Sequence, residues 1–175
     1  MTKPRTRKSS RATGVSKRHS DIGCGTSYPL GATPLPGGVN FSIHSKNCTG
    51  MELLLFDDAD SKTASRVIRL HASGHRTDHY WHVMVEGLRP GQVYGFRADG
   101  PFRPDQGLRY DPTKVLLDPY GRAVAVPTQF QRQAGALPGD NTAHAMKSVV
   151  ADLQQYDWEG DMPLQRSFHK TIIYE

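Results

Sequence analysis

Hydrophobic and polar side chains alternate in several short segments between residues 38 and 99. In "GVNFSIHS", Val39, Phe41 and Ile43 alternate with polar neighbours, which is the period of a strand buried on one face. The segments "YWHVMVEG" and "VYGFRAD" repeat this alternation, "MELLLF" is an apolar run interrupted only by Glu52, and "SRVIRL" is another short strand candidate. The pattern predicts five strands.

Turn-forming residues separate these segments. "DDADSK" and "GLRPGQ" lie between predicted strands, and the chain contains 17 Gly and 12 Pro. A length of 175 residues is enough for one domain with a hydrophobic core. The expected fold class is therefore all-β, an immunoglobulin-like β-sandwich, in which only "PTKVLLDPYG" (residues 112–121) predicts one or two helical turns.

The pattern weakens after residue 121. Residues 122–168 contain few apolar side chains that could face a core, apart from "SVVAD", which predicts a short strand. They are expected to form an irregular connector on the surface. The chain then ends in "SFHKTIIYE", whose Ile172, Ile173 and Tyr174 are typical of a buried strand.

Charge is concentrated at the other end of the chain. The formal net charge is +5, but seven Lys and Arg fall within the first twenty residues, where there is no Asp or Glu. The remaining residues carry 15 Lys and Arg against 17 Asp and Glu. Residues 1–26 are predicted to be a disordered basic tail, because they contain too little apolar surface to fold. A transit peptide and a nucleic-acid arm are the alternatives, but nucleic acid is not the expected partner, since the tail lacks interleaved aromatic residues.

Cysteine content and hydropathy restrict the location of the chain. Cys24 and Cys48 have no motif spacing, and we expect both to stay reduced. No apolar run approaches the roughly 18–20 residues of a membrane span, and no secretory signal precedes the first strand. The expected location is cytoplasmic, and no membrane contact is expected.

Candidate catalytic and metal-binding patterns are weak. His71, His75, His79 and His82 have spacings that could collect imidazoles on a helix, but Gly74 and its neighbours favour an exposed loop, with His82 facing solvent. The acidic segment "DDAD" predicts a turn, because one turn does not supply a carboxyl pair across a pocket. "GATPLPGG" precedes a strand, whereas phosphate-binding glycine loops follow one. We expect no catalytic residue, metal or cofactor in this chain.

Aromatic residues are the remaining candidates for ligand binding, since sugar rings stack on exposed aromatic faces. Trp81, Tyr94 and Phe96 follow strand alternation and are predicted to lie in the core. Phe102 and Tyr110 lie among turn-forming residues in "DGPFRPDQGLRY" and are predicted to be exposed. These two are the candidate carbohydrate-binding residues.

Four segments, taken in their order along the chain, resemble a known protein family, and the resemblance covers roughly residues 27–175. They are "YPLGATPLPGGVNFSIHSKN", "YWHVMVEGLRPGQVYGFRADGPFRPDQGLRYDPTKVLLDPYG", "DNTAHAMKSVVAD" and "YDWEGDMPLQRSFHKTIIYE". They resemble the N-terminal part of bacterial isoamylase-type glycogen debranching enzymes of glycoside hydrolase family 13. In that family, a sandwich of carbohydrate-binding module family 48 packs on a catalytic (β/α)₈ barrel.

The resemblance implies a division of the chain into the tail (1–26), the sandwich (27–121), the connector (122–168) and the first strand of a barrel that the chain lacks (169–175). It implies a parent that hydrolyses α-1,6 branch linkages in glycogen. The chain itself is predicted to be an inactive, truncated module, because the family's catalytic carboxyl groups come from later barrel strands. Its implied partners are α-glucans such as glycogen and maltodextrin, bound weakly, and a catalytic barrel that could be encoded separately.

The sequence differs from the family at positions that affect the implied binding of α-glucans. Glycogen-binding modules of this family use two exposed tryptophans, and this sequence has "DDAD" near the first position and Phe102 near the second. The open alternatives are a stand-alone α-glucan-binding or regulatory module, and the N-terminal module of a branching enzyme or a trehalohydrolase.

Overall fold

The computed structural model of the protein describes residues 21–174. They contain twelve strands and one short helix, α1, at Ala72–His75. The strands are β1 Ile22–Gly23, β2 Gly31–Leu35, β3 Gly38–His44, β4 Gly50–Phe56, β5 Arg66–Leu70, β6 Arg76–Thr77, β7 Tyr80–Glu86, β8 Val93–Asp99, β9 Phe102–Arg103, β10 Leu108–Arg109, β11 Ala123–Ala125 and β12 Lys147–Val149. The five predicted strands are confirmed as β3, β4, β5, β7 and β8.

Two five-stranded antiparallel sheets form the fold. The first sheet has the order β1-β7-β3-β2, with β6 also paired to β7, and the second has the order β11-β12-β8-β4-β5. A separate hairpin, β9–β10, extends from the end of β8. The predicted all-β sandwich is confirmed.

The core lies between the two sheets. Its largest fully buried side chains include Phe41 and Trp81 from the first sheet and Tyr94 and Phe96 from the second. The rings of Phe41 and Tyr94 meet edge to face across the interface, with centroids 5.0 Å apart. The predicted core positions of Trp81, Tyr94 and Phe96 are therefore confirmed.

The outer face of the first sheet is covered by the N-terminal strap (residues 24–28). Asn40 receives a hydrogen bond from the Thr26 amide at 2.8 Å and donates one to the Thr26 carbonyl at 3.0 Å. His82 lies 2.8 Å from the Cys24 carbonyl through Nδ1 and is 6% exposed. The prediction that His82 faces solvent is wrong, because the strap supplies backbone partners that let polar residues be buried. The sheet also begins at β1, before the predicted boundary at residue 27.

The outer face of the second sheet is covered by the covering segment (residues 112–146). A second apolar cluster forms there from Leu54 and Phe56 of β4 and Val115 of the covering segment. Leu116 exchanges both backbone hydrogen bonds with Phe96, so this part of the segment runs extended alongside β8. The helical turns predicted for residues 112–121 are not formed, because the backbone of Leu116 pairs with Phe96 of β8 instead.

The sandwich also extends past the predicted boundary at residue 121. Strand β12 pairs with β8, and β11 pairs with β12, so the second sheet includes two pieces of the predicted connector. The strand expected from "SVVAD" is formed, one residue earlier than the pattern indicates. A local sequence pattern can indicate that a segment is a strand, but it does not indicate which distant strand it pairs with.

A buried polar group joins these late strands to the core. Asp118 accepts hydrogen bonds from the Tyr94 hydroxyl at 2.7 Å and the Tyr120 amide at 2.8 Å, and its own amide donates to the Ser148 hydroxyl. Burial raises the pKa of the Asp118 carboxyl, and the two donated hydrogen bonds oppose that rise. The pKa of Tyr94 is raised in turn by its burial and by the neighbouring carboxylate.

Residues 151–174 leave the sandwich. Phe168–Lys170 form one turn of 3₁₀-helix, and residues 171–174 pair with no described strand. The strand predicted for residues 169–175 is therefore absent from the described structure, since a strand needs a hydrogen-bonding neighbour.

The predicted tail falls largely within residues 1–20, which lie outside the described residues. No helix within residues 21–174 has the length and apolar character needed to cross a bilayer.

Candidate functional site

A large cavity among the described residues lies beside the β9–β10 hairpin. It is an open groove of about 860 Å³. It is lined by the hairpin, by residues 114–117 and 135–138 of the covering segment, and by Ala98 of β8. Both predicted carbohydrate-binding residues, Phe102 and Tyr110, line this groove.

Phe102 is the exposed aromatic ring of the groove. It belongs to β9, is 65% exposed, and pairs in register with Arg109 of β10. Because β9 is only two residues long and belongs to neither five-stranded sheet, the ring is not packed in the core and can contact a ligand. The predicted exposure of Phe102 is confirmed, and its predicted role in binding stays a prediction.

Tyr110 is half-buried, so its predicted exposure is only partly correct. Its ring packs over Gly100, where an added Cβ would come within 2.7 Å of the ring. Its hydroxyl lies 3.0 Å from the Ser45 hydroxyl. The ring therefore fixes the base of the hairpin and presents only part of its surface to the groove.

Part of the groove lining depends on a close approach between the covering segment and β8. A Cβ on Gly95 would lie 2.9 Å from Val115 Cγ1 and 3.3 Å from the Leu116 carbonyl oxygen. Glycine therefore lets the covering segment pack directly on the strand. The same approach places Leu116 and Leu117, which are 41% and 38% exposed, in the lining of the groove.

The polar groups of the groove are mostly occupied. Asp111 accepts hydrogen bonds from the Thr113 amide at 2.9 Å and the Thr113 hydroxyl at 2.6 Å, which lower the pKa of its carboxyl. Asn141 is bound to both backbone groups of Val115. Arg109 is exposed on the hairpin side. The arrangement offers a mainly apolar surface with the exposed ring of Phe102, part of the Tyr110 ring and an exposed guanidinium, which suits stacking rather than acid–base chemistry.

The remaining candidates do not converge on this groove. His71 and His75 lie at the ends of the single turn α1, while His82 lies under the N-terminal strap. Among residues 21–174, no group of three or more His, Cys, Asp or Glu could hold a metal ion. Cys24 and Cys48 are free thiols, and burial raises the pKa of Cys48. The acidic segment forms the predicted turn, in which Asp60 accepts hydrogen bonds from the Thr128 amide and hydroxyl.

Two lysines that organise the covering segment were missed from the sequence. Lys114 is 6% exposed and Lys147 is fully buried, and each ammonium group donates to three backbone carbonyls. Burial lowers the pKa of Lys147, and Asp60 and Asp58 oppose that effect. The only sequence signal is a lysine one or two positions before an apolar stretch, in "TKVLL" and "MKSVV".

Comparisons with known proteins agree with this architecture. The family model described as carbohydrate-binding module 48 (isoamylase N-terminal domain) matches residues 29–121, more than half of the chain. A glycogen debranching enzyme of Serratia proteamaculans is 41% identical over 156 residues, which are 86% of this chain and 22% of that enzyme. Isoamylase 1, chloroplastic, of Arabidopsis thaliana is 37% identical over 158 residues, 88% of this chain and 20% of that protein.

A solved structure shows the same fold at lower identity. The apo pullulanase of Paenibacillus barengoltzii superposes with a TM-score of 0.53 and 16% identity, covering 77% of this chain and 16% of that one. The chain thus spans about a fifth of the length of the curated relatives that it matches.

Proposed function

The chain belongs to the family of carbohydrate-binding module 48, and we propose that it serves as the non-catalytic N-terminal module of a glycogen debranching enzyme. The whole enzyme would hydrolyse α-1,6 branch linkages in glycogen or related α-glucans. The observation that carries the proposal is the 41% identity to the Serratia glycogen debranching enzyme over 86% of this chain.

The chain alone is proposed to be inactive. Hydrolysis of a glycosidic bond needs two carboxyl groups, about 5–10 Å apart, on either side of the linkage. Among the described residues that line the groove, Asp111 is the sole carboxylate. Its lowered pKa makes it a poor proton donor at neutral pH. The bond-breaking groups would therefore belong to a catalytic domain.

An exposed apolar segment supports docking to such a domain. Phe168, Ile172, Ile173 and Tyr174 are 87%, 94%, 72% and 97% exposed. Large apolar side chains that are this exposed and this close in sequence are typical of an interaction site. We propose that a catalytic barrel, in the same chain or encoded separately, covers these side chains.

A chimera tests the proposed module function. This chain replaces the matched region of the Serratia enzyme, which is 22% of that protein. We expect the chimera to release branches from glycogen at a rate within about tenfold of the parent, because an equivalent module would hold the catalytic domain in the same way. The measurement is the release of reducing ends from glycogen.

The matched control is the Serratia enzyme with the same region deleted. It should lose solubility or activity, since its docking surface would be exposed. A chimera as inactive as this deletion variant would contradict the proposal and favour a module of a different family-13 enzyme.

The groove supports a second function, weak α-glucan binding at Phe102. One exposed ring provides a single stacking contact, worth about 0.5–1.5 kcal/mol beyond buried area by analogy with aromatic pairs. Association also costs several kcal/mol of translational and rotational freedom, so the affinity should be millimolar in scale. The partly covered Tyr110 and the exposed Arg109 would add contacts along the hairpin.

Titration with maltoheptaose, followed by amide NMR shifts, tests this binding. Shifts should cluster around residues 99–110 and 135–138 and disappear in Phe102→Ala. Phe130→Ala, a matched control at a ring that is 40% exposed outside the groove, should keep them. The absence of shifts at about 10 mM sugar would leave the groove without a glucan role.

A further inference from the structure

Residues 135–138 line the groove together with Phe102, and we call the segment that contains them the groove wall (residues 134–139); it starts at the end of a 3₁₀ turn and continues without regular structure. It belongs to neither sheet, and Leu137 at its centre is 60% exposed. Its backbone turns so that the carbonyls of Ala134, Leu137 and Gly139 converge on one point. A segment without strand partners needs another source of order to keep a fixed position.

The ammonium group of Lys114 occupies that point. Nζ donates to the Ala134 carbonyl at 3.1 Å and also to the carbonyls of Leu137 and Gly139. An ammonium has three N–H donors, so these three bonds use all of them. Hydrogen bonds from a charged donor are stronger than neutral ones, and burial at 6% exposure limits competition from water.

The wall is connected through Lys114 to the second sheet. The Thr113 hydroxyl also donates to the Gly139 carbonyl at 3.1 Å. Asn141, which follows the wall, receives a hydrogen bond from the Val115 amide at 2.7 Å. Leu116, two residues after Lys114, exchanges backbone hydrogen bonds with Phe96 of β8. A continuous set of contacts therefore runs from the sheet to the wall, with the ammonium group at its end.

We propose that Lys114 is a positioning residue for the groove, which holds the groove wall at a fixed distance from Phe102. Its donors are all used by the wall, so it makes no direct hydrogen bond to a ligand. This inference rests on the proposed glucan binding for its functional consequence. The placement of the wall itself is independent of any ligand.

Lys114→Met tests the proposal, because methionine keeps the length of the side chain and removes the charge and the donors. Amides of the groove wall should exchange with solvent at least about tenfold faster in this variant, while amides of β3 and β7 remain protected. The maltoheptaose shifts around Phe102 should be lost. Lys46→Met is the matched control at an exposed lysine, and it should change neither measurement.

The two measurements separate the possible failures. Unchanged amide exchange in the wall of Lys114→Met would overturn the proposal, as would full glucan shifts in a variant with a loosened wall. A loosened wall together with no glucan shifts in the unaltered chain would overturn the glucan function but support Lys114 as the anchor of the wall. If Lys114→Met unfolds, Lys114→Gln, which keeps two donors on a shorter side chain, is measured in the same way and should show intermediate exchange.

Discussion

Replacement of Lys147 by methionine is expected to lower the free energy of unfolding by about 2–4 kcal/mol, because it leaves buried carbonyls without a donor. Lys147 is fully buried, and its ammonium group donates to the carbonyls of Ala59 at 2.7 Å and Thr142 at 3.0 Å, with Ala145 at 3.5 Å. The same group lies 5.0 Å from the centre of the Phe56 ring. The measurement is urea unfolding followed by circular dichroism.

Opposing effects decide the sign of this change. Methionine removes the cost of burying a charge, which can make apolar replacement of buried ions favourable. Here, however, the partners are backbone carbonyls that remain in place, so their desolvation is no longer compensated. Lys62→Met, at an exposed lysine, should alter stability by less than about 0.5 kcal/mol. A Lys147→Met variant as stable as the unaltered chain would show that these carbonyls find other donors.

Truncation of Leu54 to alanine is expected to lower the free energy of unfolding by about 2–4 kcal/mol, because Leu54 lies in a second core. It is 1% exposed and packs with Phe56 and Val115 on the outer face of the second sheet. Without the covering segment, this position would face solvent and its truncation would be nearly neutral. The free energy is again measured by urea unfolding.

Val67→Ala provides the matched comparison. Val67 is the register partner of Leu54 on β5, on the same face of the sheet, but it is 47% exposed. Its truncation should cost less than about 1 kcal/mol, since little apolar contact is lost. Equal effects of the two substitutions would mean that the covering segment does not form a stable core over β4.

The sequence predicted the parts of this protein that depend on local pattern. Alternation and turn residues located β3, β4, β5, β7 and β8, because side chains on a strand point to opposite faces and one face was apolar. The same alternation placed Trp81, Tyr94 and Phe96 in the core. The family resemblance is confirmed by the match of the carbohydrate-binding module 48 model to residues 29–121. The run "MELLLF" carries a further signal. Consecutive apolar residues, rather than alternating ones, indicate a strand buried on both faces, and β4 is such a strand.

Only the tertiary structure decided which polar residues were buried and which segments covered the sheets. His82 was predicted to face solvent, and it is buried, as is Asn40, because the N-terminal strap, distant in sequence, supplies their hydrogen-bond partners. Lys114 and Lys147 resemble surface lysines in the sequence, and they are buried because remote carbonyls converge on them. The groove itself, which Phe102 and the groove wall both line, joins residues more than thirty positions apart. Such contacts depend on where the chain returns in space, whereas local sequence patterns specify only the conformation of each segment.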